Sequence, residues 1–161
     1  MVFRYYRTIR FNETDAAGVV YFANVLTLCH EAYEAALGET SIDLAHFFSV
    51  SNPSPVPIVH AEADYFKPLV CGNKIAITLV PVQLNAYSYE VCYTFNYQRP
   101  EVSTSPSSAQ LANKPLEIER PLVTALTRHV CIDKATRKKQ PIDPRLTDWL
   151  TNLAASVVTG D

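Results

Sequence analysis

The strongest constraint on this chain is one helical stripe: Val25, Leu28, Cys29, Ala32, Tyr33, Ala36 and Leu37 recur at i, i+3, i+4 and i+7. That spacing places them on one side of an α-helix, so it predicts a helix over Asn24 to Leu37 with a single buried face. Gly38 supplies its stop. Further on the period changes. Tyr87, Tyr89, Val91, Tyr93, Phe95 and Tyr97 alternate with Ser88, Glu90, Thr94 and Asn96, the pattern of a strand with one face covered. Ile58 to Phe66, Lys74 to Leu84 and Pro121 to Asp133 read as further strands, and Phe3 to Asn12 as one ahead of the helix. A helix with one apolar face needs a surface to bury it, and the strands are that surface. The expected class is α+β, an antiparallel sheet curled around one long central helix.

The punctuation agrees. Glu13 to Gly18 breaks the first strand, and Ser51 to Pro57 carries three prolines and must be loop. Ile42 to Phe48 predicts a short helix capped by Ser41 or Thr40, and Asp143 to Leu153 a terminal helix that includes Trp149. Pro100 to Glu119 is rich in Ser and Pro and reads as an excursion between adjacent strands. The 161 residues suit one domain, 1–161, large enough for its own core.

Charge and cysteine content narrow the partners. A net charge of −2 gives no basic field for nucleic acid. No apolar run reaches the roughly 20 residues that span a bilayer, and the first residues lack a signal-peptide core. The expectations are no membrane association and a cytoplasmic protein. Cys29, Cys71, Cys92 and Cys131 form no CxxC pair and sit in apolar segments, as reduced, buried thiols would. His46, His60 and His129 lack zinc-ligand spacing, so no metal is expected. No G-x-S-x-G elbow and no phosphate or dinucleotide fingerprint occurs.

Asp15 stands just ahead of the predicted helix, across a turn that holds Gly18. Two readings are open on physics alone. Asp in a turn commonly bonds nearby backbone amides. Equally, a carboxylate beside the unpaired first-turn amides of a helix is a base or nucleophile next to a ready oxyanion site. Glu31 and Glu34 lie off the apolar stripe and read as solvated or interface groups, with His30 beside them as a supporting group. His60 alternates with Glu62 and Asp64 on one strand face, and alternation does not tell which face looks inward.

Asp15-Ala16-Ala17-Gly18-Val19-Val20-Tyr21-Phe22-Ala23-Asn24 resembles the signature of hot-dog-fold acyl-CoA thioesterases of the 4-hydroxybenzoyl-CoA thioesterase type. Tyr65-Phe66-Lys67-Pro68 is similar to that family's strand end. The Cys29 to Glu34 and Thr127 to Asp133 segments are similar to the cyanobacterial and plant 1,4-dihydroxy-2-naphthoyl-CoA hydrolases of phylloquinone synthesis. The resemblance implies a hot-dog fold, a CoA thioester substrate, hydrolysis without metal or organic cofactor, and a homo-oligomer, dimer or dimer of dimers, with sites at subunit interfaces. It implies Asp15 as the catalytic carboxylate and the Phe22 N–H as oxyanion donor, with Gly18 permitting close approach. His60, Lys67 and Arg128 are the further candidates for substrate contact, the last two as partners for CoA phosphates. Alternatives are a thioesterase for other acyl-CoA or acyl-carrier-protein substrates, a dehydratase of hydroxyacyl thioesters, and a non-catalytic module that binds acyl thioesters.

Overall fold

The computed structural model describes residues 2–98 and 120–155. In chain order the elements are β1 (Phe3–Thr8), α1 (Asn24–Gly38), α2 (Leu44–Phe47), β2 (Ile58–Tyr65), β3 (Lys74–Asn85), β4 (Ser88–Tyr97), β5 (Val123–Val130) and α3 (Pro144–Ala155). The five strands form one antiparallel sheet in the order β1-β3-β4-β5-β2. β1 and β2 are therefore its edges. Pro81 lies past Leu79, where β1 stops, so β3 has a single neighbour there and the missing N–H is tolerated.

The sheet wraps α1 as the two periods require. Val25, Leu28, Cys29, Ala32, Tyr33, Ala36 and Leu37 are all buried on the helix. Against them lie Ile75, Ile77 and Leu79 of β3, Tyr89, Val91, Tyr93 and Phe95 of β4, and Val123 and Ala125 of β5. The tyrosine-rich face of β4 thus packs inside. Leu146, Trp149 and Leu150 of α3 close the core, with the Trp149 ring 5.7 Å from Tyr33 and 6.1 Å from Tyr89. β2 stands apart, because Ala63 is its only partly covered residue and the other seven are exposed.

Some expectations need correction. The first strand ends at Thr8, and a 3-10 turn over Phe11–Glu13 takes the rest. α2 is one turn long, and its cap is Asp43, whose carboxylate accepts the His46 N–H, rather than Ser41 or Thr40. Cys29 and Cys131 are buried, but Cys71 is exposed and Cys92 half-buried. Desolvation pushes the Cys29 thiol up to about 12 and Cys131 to about 11, so neither is a ready nucleophile. The excursion expected over Pro100 to Glu119 falls outside the described residues.

Candidate active site

The residues between β1 and α1 form a closed loop. Thr14 and Val20 make an antiparallel bridge, Asp15 N–H donates to Val19 O (2.9 Å), and Tyr21 N–H donates to Glu13 O (2.9 Å). Val20 N–H reaches Leu69 O (2.8 Å), which ties the loop to the chain beyond β2. Asp15 sits at the exposed tip. Its Oδ1 accepts the Ala17 N–H (2.8 Å) and its carbonyl accepts the Gly18 N–H (2.9 Å). The turn reading of Asp15 is met in full, yet only one carboxylate oxygen is engaged among the described residues.

Gly18 is held at φ +77°, the left-handed region that side-chain-bearing residues rarely occupy. A Cβ there would meet nothing within 4 Å, so the backbone angle of this turn, and no contact within the chain, is what requires glycine.

The loop leads straight into α1. Its N-cap is Ala23, which has no side-chain oxygen to offer. Among the described residues the Phe22 and Ala23 amides find no acceptor. Unpaired amides at the positive end of a helix are donors for a developing oxyanion. Tyr65, the last residue of β2, fixes their position from the other side, since its hydroxyl donates to Phe22 O (2.8 Å).

A network under the loop holds it in place, and sequence reasoning missed it. Arg7 of β1 bonds both Glu13, in the loop, and Glu31, on α1. The other Glu13 oxygen caps Arg10 N–H (2.7 Å), and its carbonyl accepts the Asn24 side chain (2.9 Å). One arginine thus locks strand, loop and helix together. The signal was the alternation of β1, which places Arg7 on the covered face with Phe3 and Tyr5. Glu31 is therefore a structural anion, and His30 pairs with Glu34 (3.3 Å).

The remaining candidates divide. Lys67 lines a cleft of ≈ 230 Å³ beside Val19, Val20, Val25 and Tyr65, adjoining the loop. His60 and Arg128 are cross-strand partners on the sheet face opposite α1, where His60 meets Glu62 (3.1 Å) and Arg128 meets Glu90 (2.6 Å). Within one chain they do not converge on Asp15.

Residues 9–150 match the model of the thioesterase-like superfamily. The chain belongs to that superfamily. This member is 43% identical over 151 residues, 93% of its length and 87% of the relative's, to a 1,4-dihydroxy-2-naphthoyl-CoA hydrolase of Nostoc punctiforme. A protein of that name from Rippkaea orientalis is also 43% identical, over 91% of this chain and 93% of its own. Among solved structures, the crystal structure of a 1,4-dihydroxy-2-naphthoyl-CoA thioesterase from Synechocystis superposes with a TM-score of 0.77 at 31% identity, covering 95% of this chain and 98% of that one. The hot-dog architecture of the thioesterase-like superfamily is thus found here in sequence and in structure.

Proposed function

We propose that this acyl-CoA thioesterase hydrolyses 1,4-dihydroxy-2-naphthoyl-CoA to 1,4-dihydroxy-2-naphthoate and coenzyme A, a step in phylloquinone synthesis. One observation carries the reading: relatives named for that hydrolysis match the chain over 91–93% of its length. The Asp15 loop supplies the chemistry it needs. The thioester oxygen accepts the Phe22 N–H at the start of α1, and a donor of this kind lowers the barrier by about 3–4 kcal/mol. Asp15 then acts in one of two balanced ways. As nucleophile it adds to the carbonyl carbon, the C–S bond breaks to release CoA thiolate, and water hydrolyses the mixed anhydride. As base it takes a proton from water, the hydroxide adds, and collapse expels the thiol.

The reading takes two copies joined along β2, and dimers paired into a tetramer. Its support is an exposed sheet edge, with Tyr65 next to Phe22 at the end of that edge. Replacing Asp15 by Asn is expected to lower kcat for the naphthoyl thioester by roughly a thousandfold, with binding retained. Activity intact in Asp15→Asn removes Asp15 from catalysis, and turnover confined to aliphatic thioesters removes the naphthoyl substrate. Label in Asp15 after single-turnover hydrolysis in 18O-water establishes the nucleophilic route, with water opening the mixed anhydride at the Asp15 carbonyl, because the base route places label in the product acid alone.

A further inference from the structure

β2 carries opposite chemistry on its two faces. His60, Glu62 and Asp64 lie on the outer side of the sheet, where polar groups belong. Ile58, Ala61, Ala63 and Tyr65 pair in register with the buried residues of β5, so they lie on the side of α1. A register shift between Ile58 and His60 accounts for the three-residue step from Ile58 to Ala61. All four inward residues are apolar or aromatic, yet Ala63 alone is even partly covered. An apolar inward face left open marks a surface that something else covers.

The helix answers with a second stripe. Phe22, at the entry to α1, Leu26 and His30 follow one another at four-residue spacing, beside the buried stripe. Phe22 is 63% exposed and Leu26 36%, two large apolar side chains left facing solvent. Strand and helix are tied at both ends. Tyr65 Oη donates to Phe22 O (2.8 Å), and Ile58 shares with His30 the wall of one open cleft. A trough therefore runs between them, floored by Ala61 and Ala63, with Leu26 on its helical side.

This trough begins at the amide assigned to the thioester oxygen. A ring bonded to that carbonyl enters beside Phe22 and Tyr65. Inward residues of a strand step about 7 Å apart, so Ala63 stands one step beyond Tyr65. Leu26 is one turn beyond Phe22, about 6 Å along the helix. A single ring ends short of that step, and a second ring fused to its far side reaches it. Both hydroxyls of the proposed acyl group belong to the first ring and stay beside the loop, so at Ala63 and Leu26 the guest needs apolar surface alone. The methyl group of Ala63 leaves there the space that a longer side chain would fill.

We propose that Ala63 and Leu26 set the ring size this enzyme accepts, the gap between them seating the second ring of a fused aromatic acyl group. The assignment rests on the aromatic-thioester reading above and names the residues that separate one ring from two. The test uses two hydrolysis-inert ketones, in which a methylene stands between an aryl carbonyl and the CoA sulfur, one with a phenyl and one with a 2-naphthyl ring. Calorimetric titration of the full chain measures both affinities. The wild type is expected to favour the naphthyl ketone roughly tenfold, through burial of the second ring. Ala63→Leu fills the gap and should erase that preference. Leu26→Ala, a surface change that leaves the core intact, removes the opposite wall and should cut the preference several-fold. A preference that survives either variant overturns the assignment, as does a wild type that binds both ketones equally. Loss of the preference together with a changed mass in sedimentation gives the trough to a second copy and overturns it too. None of these readings needs turnover. A naphthyl preference in a protein that hydrolyses no dihydroxynaphthoyl thioester keeps the ring-size assignment and removes the proposed function, and hydrolysis of that thioester without the preference does the reverse.

Discussion

Acid should unfold this protein through His129, and the size of the effect follows from its burial. The group ordinarily titrates near 6.5 and is held at about 4 in the folded chain. Between those values the unfolded chain binds a proton that the folded one refuses, so stability falls as pH falls. Above about 6.5 the term is zero, and below about 4 it has reached its limit. A shift from 6.5 to about 4 corresponds to a loss of about 3 kcal/mol by the acid end of the window. Burial sets this above all, His30 of α1 lowers it further, and a hydrogen bond to the Val56 backbone opposes both. His129→Gln has no titrating ring. Its stability against pH should run flatter than the wild type's, even though the variant starts lower at neutral pH. Asp133, held low mainly by the Thr136 amide and hydroxyl, and Asp143, held low mainly by Arg145, also weaken the fold in acid. Those terms are common to both proteins and cancel in the difference. Urea unfolding across the window, at one fixed protein concentration because an oligomer's stability depends on it, measures the two curves. Parallel curves refute the argument that burial of His129 governs the acid limb.

Other perturbations address the loop. Arg7→Met should leave Glu13 and Glu31 without their cation and cost about 2 kcal/mol by chemical denaturation, and it should also lower kcat more than it raises KM. Tyr65→Phe removes the hydroxyl that holds Phe22 O, and kcat for the naphthoyl thioester should fall several-fold with stability changed by about 1 kcal/mol or less. Gly18→Ala forces a side chain into φ +77° and should cost about 1 kcal/mol, with activity falling as the Asp15 turn shifts. A Tm and a kcat both equal to wild type in Gly18→Ala would show that the turn tolerates another backbone angle.

The elements of the fold were legible because each rests on a local period. The α1 stripe predicted the buried face of the helix residue by residue, and on the face that the β4 alternation defined the structure buries Tyr89, Val91, Tyr93 and Phe95 but leaves Tyr87 half-buried and Tyr97 exposed. What no period encodes is which face of a strand looks inward: His60 was a candidate on alternation and Arg128 on the resemblance, and both lie on the outer face. Arg7 was missed because its partners are six and twenty-four residues away and meet it only once β1 and α1 are side by side. Asp43 took the cap of α2 because the chain enters that helix later than its composition suggests. The Asp15 loop was the most legible part of the site, since turn, glycine and uncapped helix start follow one another directly.

Trp149 gives the molecule its own optical reporter. It is the chain's single tryptophan, sealed in the core with its ring edge-on to Tyr33 and near Tyr89, the two residues that flank His129. Its emission therefore comes from one environment, blue-shifted by the absence of water. Loosening of the core around Tyr33 would admit water to the emitter and shift that emission to the red. Opening of the core can thus be followed in real time in the unlabelled protein, with no residue changed.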